Sequence, residues 1–105
     1  MDIVFEKEYL SELYYNGKTS DKKHRFQPGI IKRYKLRIEA LESADNVEDL
    51  FQINAFHYEV LKGDKKGVSS IRVNEQYRIE FTTHKVEAGT VVTVCNILEL
   101  SNHYK

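Results

Sequence analysis

The spacing of apolar positions changes partway along the chain. From Pro28 to Leu41, residues Ile30, Ile31, Tyr34, Ile38 and Leu41 recur at helical intervals and make one apolar stripe. Lys32, Arg33, Lys35, Arg37 and Glu39 fall mostly off that stripe, and Pro28 stands where a first helical turn accepts a proline. Asp2 to Phe5 is short and apolar enough for a strand, and Glu8 to Tyr15 suits a short helix. Asn46 is placed to cap a short helical segment through Val47, Leu50 and Phe51. Between the helices, Asn16 to Phe26 is polar and reads as an exposed loop.

From Phe56 onward β-branched and aromatic residues take over. Strands are expected around Tyr58 and Val60, at Ser69 to Val73, at Tyr77 to Thr83 and at Thr90 to Leu100. Gly63-Asp64, Asn74-Glu75-Gln76 and Ala88-Gly89 supply the turns. Helices first and a strand meander after predict an α+β domain, with N-terminal helices packed on one face of a small antiparallel sheet. No repeat, low-complexity tract or linker divides residues 1–105, so a single domain is expected.

Composition narrows the functional classes. Sixteen Lys and Arg balance 16 Asp and Glu, so the chain does not coat nucleic acid by bulk charge, although a local basic site remains open. Cys95 is the single cysteine, which rules out an internal disulfide and suits a reducing compartment. It lies in the apolar run Val91 to Leu98 and is expected to be a buried structural thiol. No basic stretch leads into an apolar run at the start, and no run approaches the ~20 residues that span a bilayer, so a cytoplasmic location is expected. His24, His57 and His84 lack zinc-type spacing, and no glycine-rich phosphate loop precedes a helix. No metal and no cofactor are expected.

The segment Ser70 to Phe81 poses the functional question. Alternation sets Ile71, Val73, Tyr77, Ile79 and Phe81 on one face, and Arg72, Arg78 and Glu80 on the other. With Asn74 to Gln76 as the loop, Arg72 lies directly opposite Arg78, a like-charge pair that costs roughly 0.2–1 kcal/mol. A phosphate held between the two forks would offset that cost; the alternative is a solvated face neutralised by Glu80 and Glu99. Lys62, Lys65 and Lys66 sit in a loop bounded by Gly63 and Gly67, which either follows a nucleic-acid backbone or simply aids solubility. Near the end, His103 could move a proton and Tyr104 could stack on a base, or the terminus has no role.

Three pieces together resemble the RelE/ParE superfamily of bacterial toxins, in its HigB branch. They are Leu61-Lys62-Gly63-Asp64, the hairpin Ser70-Ile71-Arg72-Val73-Asn74-Glu75-Gln76-Tyr77-Arg78-Ile79 behind Gly67, and the terminal Asn102-His103-Tyr104. The resemblance implies a toxin of a type II toxin–antitoxin system, an endoribonuclease that cuts messenger RNA in the ribosomal decoding site. It implies catalysis by Lys62, Arg78 and His103, and RNA binding by Lys65, Lys66, Arg72, Asn102 and Tyr104. It also implies a cognate helix-turn-helix antitoxin, the ribosome with bound mRNA as target, and operator DNA reached only through the antitoxin complex. On this reading Arg78 and His103 matter for toxicity and little for folding. Some HigB toxins carry a histidine where Glu59 stands, and some end in Asp-Tyr-His where this chain has Ser101-Asn102-His103. Two other readings share the fold: a ParE-like DNA gyrase poison without catalysis, and an inactive relative that only binds its antitoxin.

Overall fold

Two helices lie on one face of a five-stranded sheet in the computed structural model, which describes residues 1–102. In chain order the elements are β1 (Asp2–Phe5), α1 (Glu8–Asn16), α2 (Pro28–Ser43), β2 (Glu59–Val60), β3 (Ser69–Arg72), β4 (Tyr77–Ala88) and β5 (Thr90–Asn102). The stripe of α2 is borne out, with Tyr34, Ile38 and Leu41 buried and Ile30 and Ile31 packed partly against the core. Pro28 opens that helix. α1 buries Tyr9, Leu10 and Leu13 and ends at Gly17, whose φ of +76° is open to glycine without strain. The Tyr34 hydroxyl donates to the Leu10 carbonyl at 2.7 Å and ties the helices together. Asn46 does cap, accepting from the Asp49 N–H at 3.2 Å, but the segment it starts is a single 3-10 turn at Val47–Leu50. Among the described residues no helix is long and apolar enough to cross a membrane.

The strands run in the order β1-β5-β4-β3-β2. The sheet is mixed and not purely antiparallel, because β1 pairs parallel to β5 from Asp2 opposite Val94 to Phe5 opposite Ile97. A parallel pair needs a long crossover between its strands. Here everything from α1 to β4 supplies it, with the helices laid across one face. The other pairings are antiparallel, as the meander predicts. β4 and β5 both run further than their patterns suggest.

A register shift between Glu80 and Phe81 sets Glu80 opposite Glu99 and Phe81 opposite Ile97, leaving Leu98 as the extra residue. A perfect alternation would send Ile97 and Leu100 to opposite faces. The bulge lets both enter the core, where they are buried with Ile71, Val73, Ile79, Phe81 and Cys95. Burial pushes the Cys95 thiol up to about 12, so it is the structural thiol expected.

Candidate functional site

Asn74 builds the turn at the head of the site. Its side-chain oxygen accepts the N–H groups of Gln76 at 2.9 Å and Tyr77 at 2.7 Å. The turn fixes the register, and Arg72 lies opposite Arg78, with Ile71 opposite Ile79 and Ser70 opposite Glu80. The two arginines then part company. Arg78 is buried, at 6% exposure, on the face away from the helices. Its Nε donates to Ser70 Oγ at 2.9 Å, and its Nη2 donates to the carbonyls of His57 and, at 3.4 Å, Ser70. His57 takes φ +43°, a left-handed conformation uncommon outside glycine, at the point where its carbonyl meets this guanidinium. Glu59 Oε1 stands 3.7 Å from Arg78 Nε. Burial pulls the Arg78 pKa down, with Arg72 adding to that and Glu59 opposing it, but a guanidinium stays charged. Arg78 therefore holds the fold as well as presenting charge, which corrects the expectation that it matters little for folding. Arg72 offers its carbonyl to Arg37 Nε at 2.8 Å.

Around Arg78 lies a cleft of about 270 Å³, walled by Glu59, Leu61, Lys62, Lys65, Ser70, Glu80, Ser101 and Asn102. It gathers Lys62, Lys65, Arg78 and Asn102 of the expected site from three separate stretches of chain. Lys66 and Arg72 are not among its lining residues. His103 and Tyr104 lie outside the described residues. Lys65 Nζ binds both oxygens of Glu80, at 3.0 and 2.9 Å, so Glu80 neutralises a lysine and not the arginine pair.

A second cleft of about 380 Å³ shares Lys65, Ser101 and Asn102 with the first and continues past Tyr77 to Lys23, His24 and Arg25. The sequence pattern missed this wall, reading it as loop. Lys22–His24 forms one 3-10 turn, capped by Asp21, whose carboxylate accepts the Lys23 N–H at 2.9 Å. The Asp21-to-His24 spacing was the available signal. His24 stacks on Tyr9 with ring centroids 3.6 Å apart and planes 6° from parallel. Its Nδ1 is 2.9 Å from Asp21 and its Nε2 is 3.8 Å from Glu99. Glu99 accepts from the Tyr9 hydroxyl at 2.5 Å and from Lys7. Burial opposes the ionisation of Glu99, but the bonds from Lys7 and Tyr9 outweigh it and hold the carboxyl below the usual range. Burial, and then the bond to Glu99, pushes the Tyr9 hydroxyl up.

A further hollow of about 600 Å³ between Phe51, Ile53, Asn54, His57 and Tyr58 is more apolar than polar and does not include Arg78. Among the described residues no three His, Cys, Asp or Glu side chains group to hold a metal ion. What the Arg78 cleft can do is accept an anion. Its buried cation is held by neutral oxygens, a lysine stands beside it, and a half-exposed carboxylate shares the rim.

Comparison with known proteins bears on the family and the fold. Residues 3–94 match the model of the HigB-like toxins, described as RelE-like toxins of the type II toxin–antitoxin system HigB. Toxin HigB-1 of Vibrio cholerae serotype O1 is 37% identical over 82 residues, which is 77% of this chain and 82% of that protein. An uncharacterized protein of Haemophilus influenzae is 30% identical over 87 residues, 83% of each chain. Among solved structures, a YoeB/ParE toxin from Agrobacterium tumefaciens aligns over 99% of this chain and 100% of its own, at TM-score 0.54 and 16% identity. A chain of the heterotetrameric YoeB-YefM toxin-antitoxin complex from Staphylococcus aureus aligns over 99% and 98%, at TM-score 0.56 and 23% identity. At those identities the structures share the fold.

Proposed function

This chain belongs to the HigB-like family of RelE-like type II toxins, and from that premise we propose that its Arg78 cleft cuts messenger RNA held in the translating ribosome. The observation that carries the proposal is Arg78 itself. Its Nε and Nη2 are spent on Ser70 and His57, which aims the guanidinium and, among the described residues, leaves Nη1 for a phosphate oxygen. Its hydrogen-bond partners are neutral, and the Glu59 carboxylate at 3.7 Å offsets its charge only in part.

Cleavage needs a ribose 2′-hydroxyl to lose its proton and attack the adjacent phosphorus. The 2′,3′-cyclic phosphate forms as the P–O5′ bond breaks, and the departing 5′-oxygen takes a proton. Arg78 and Lys62 offset the negative charge that builds on the phosphoryl oxygens. Glu59 stands on the cleft rim with its side chain 50% exposed, placed to accept the 2′-hydroxyl proton, and His103 serves as the acid for the leaving oxygen. Lys65 and Asn102 position the RNA within the cleft, Lys66 and Arg72 act outside its lining, and Tyr104 stacks on a base. A chain of zero net charge has little hold on free RNA, and the ribosome supplies the positioning it lacks. The same reading places the protein in the cytoplasm and gives it a cognate helix-turn-helix antitoxin, with operator DNA bound through that complex alone.

The test is induced expression in a bacterial host, with cellular mRNA 5′ ends mapped for wild type, Lys62→Ala and Arg78→Lys. Growth arrest with new in-frame cuts, abolished in both variants while each stays folded, supports the reading. Arrest with intact mRNA and DNA damage would transfer it to the gyrase-poison class. Folded wild-type protein without any effect on growth would mark a silent relative.

A further inference from the structure

β4 outruns its neighbours. β3 accompanies it only as far as Ser69 opposite Phe81, and β1 reaches no further along β5 than Val94. From Thr82 to Thr93 the chain is therefore a two-stranded ribbon. The outer edge of β4 from Thr82 to Ala88 meets no third strand among the described residues. A lone ribbon is marginally stable in water, and an open edge is a template for another strand. Val86 on β4 is 41% exposed and Val91 on β5 is 58% exposed.

We propose that two copies of this chain join edge to edge through β4, antiparallel, about a two-fold axis at Val86. Directly opposed residues of an antiparallel pair share a face, so the axis must pass through a pair of identical residues. An axis at Lys85 would set that lysine against its own copy, and one at Glu87 would oppose two glutamates. An axis at His84 would bring Glu87 against Phe81 of the copy, where β3 already occupies the edge. At Val86 each Lys85 meets the copy's Glu87, and the reverse pair forms on the other side of the axis. Val86 already lies opposite Val92 within the chain. The joined sheet then carries an unbroken row of Val92, Val86, the copy's Val86 and the copy's Val92 on one face. On the other face each Lys85–Glu87 pair is flanked by Thr93 and Val91. The order Lys-Val-Glu is thus self-complementary in one register only. Lys85, Val86 and Glu87 are not among the residues that line the Arg78 cleft, and the proposal does not depend on what that cleft does.

The experiment measures the mass of the full chain by sedimentation over a range of concentrations. Wild type is expected to dimerise. Lys85→Glu and Glu87→Lys each replace two attractive pairs by two repulsive ones, and each alone is expected to associate at least ~tenfold more weakly. Mixed one to one, those two variants complement each other and a mixed dimer returns; the double exchange K85E/E87K restores self-association in one chain. Wild type that stays monomeric at every concentration overturns the proposal, as does a mixture no more associated than its components. A dimer indifferent to all these changes shows a different interface, and association that appears only with an added antitoxin strand assigns the edge to that partner. Both outcomes also overturn it.

Discussion

The two walls of the groove each hold a charged side chain drawn partly out of water, and they hold it differently. Arg78 is fixed by Ser70 and by the carbonyl of His57, which are neutral, with the half-exposed Glu59 carboxylate 3.7 Å from its Nε. Glu99 is fixed by Lys7 and the Tyr9 hydroxyl, with His24 close by. The first arrangement takes its hydrogen bonds from neutral groups and leaves the nearest carboxylate beyond hydrogen-bond distance, so the charge is only partly offset. The second cancels its charge within the protein, binding α1, the Asp21–His24 turn and β5 into one unit. Under the proposed function, the Arg78 wall is the reactive one and the Glu99 wall is scaffold.

The largest expected effect comes from Arg78→Ala. Cleavage should fall by roughly two to three orders of magnitude, the usual loss for a group that stabilises developing charge. Stability should fall too, because buried Ser70 loses its donor at about 1–3 kcal/mol, while the part-buried His57 carbonyl can turn to water. Arg78→Lys keeps the charge without the fork, so urea unfolding should return part of the way to wild type while cleavage does not. If the lysine variant cleaves normally, aim matters less than charge and the contrast weakens. Lys62→Ala comes next. Its side chain is exposed, so unfolding should shift by no more than about 0.5 kcal/mol while cleavage drops by roughly 100-fold. Loss of cleavage without loss of stability is what separates Lys62 from Arg78.

How far these roles could be read in advance depended on distance along the chain. The helical stripe of α2 and the Arg72–Arg78 register are local: one follows from spacing within 14 residues, the other from a turn that Asn74 closes on itself. The parallel pairing of β1 with β5 joins Asp2 to Val94 and has no local signature, so the sheet looked purely antiparallel. The burial of Arg78 was hidden for a related reason. Alternation places it on the polar face, and only the approach of His57 and Glu59, about 20 residues upstream, covers it there. The Glu99 wall needs Tyr9 and His24 to meet a residue some 90 positions from the first of them. In composition its turn is indistinguishable from a solvated loop.

The scaffold wall makes an acid-side prediction. The folded protein holds the Glu99 carboxyl below its ordinary value, so ionised Glu99 contributes stability above the unfolded carboxylate range, near 4.3. That contribution fades as pH falls through the lower folded value. Thermal unfolding followed from pH 7 down to pH 3 should therefore show wild type losing more stability than Glu99→Gln. Equal slopes would mean that Lys7 and Tyr9 do not distinguish the ionised form.

The smallest effect, and the one that best divides the two walls, is expected from His24→Ala. His24 is three-quarters buried, at 26% side-chain exposure, stacked on Tyr9 and lining the groove beside Lys23 and Arg25. Its position admits either role. As scaffold, it contributes stacking and contact with two carboxylates, and its removal should cost about 1 kcal/mol in urea while cleavage stays within a few-fold of wild type. As part of the reactive wall, its loss would reduce cleavage by orders of magnitude with the fold unharmed, and its imidazole would join Glu59 and His103 as a candidate for proton transfer. Measured on the same preparation, unfolding midpoint and cut-site yield separate the two. A change confined to the first keeps the reactive chemistry at Arg78, and a change confined to the second extends it along the whole groove.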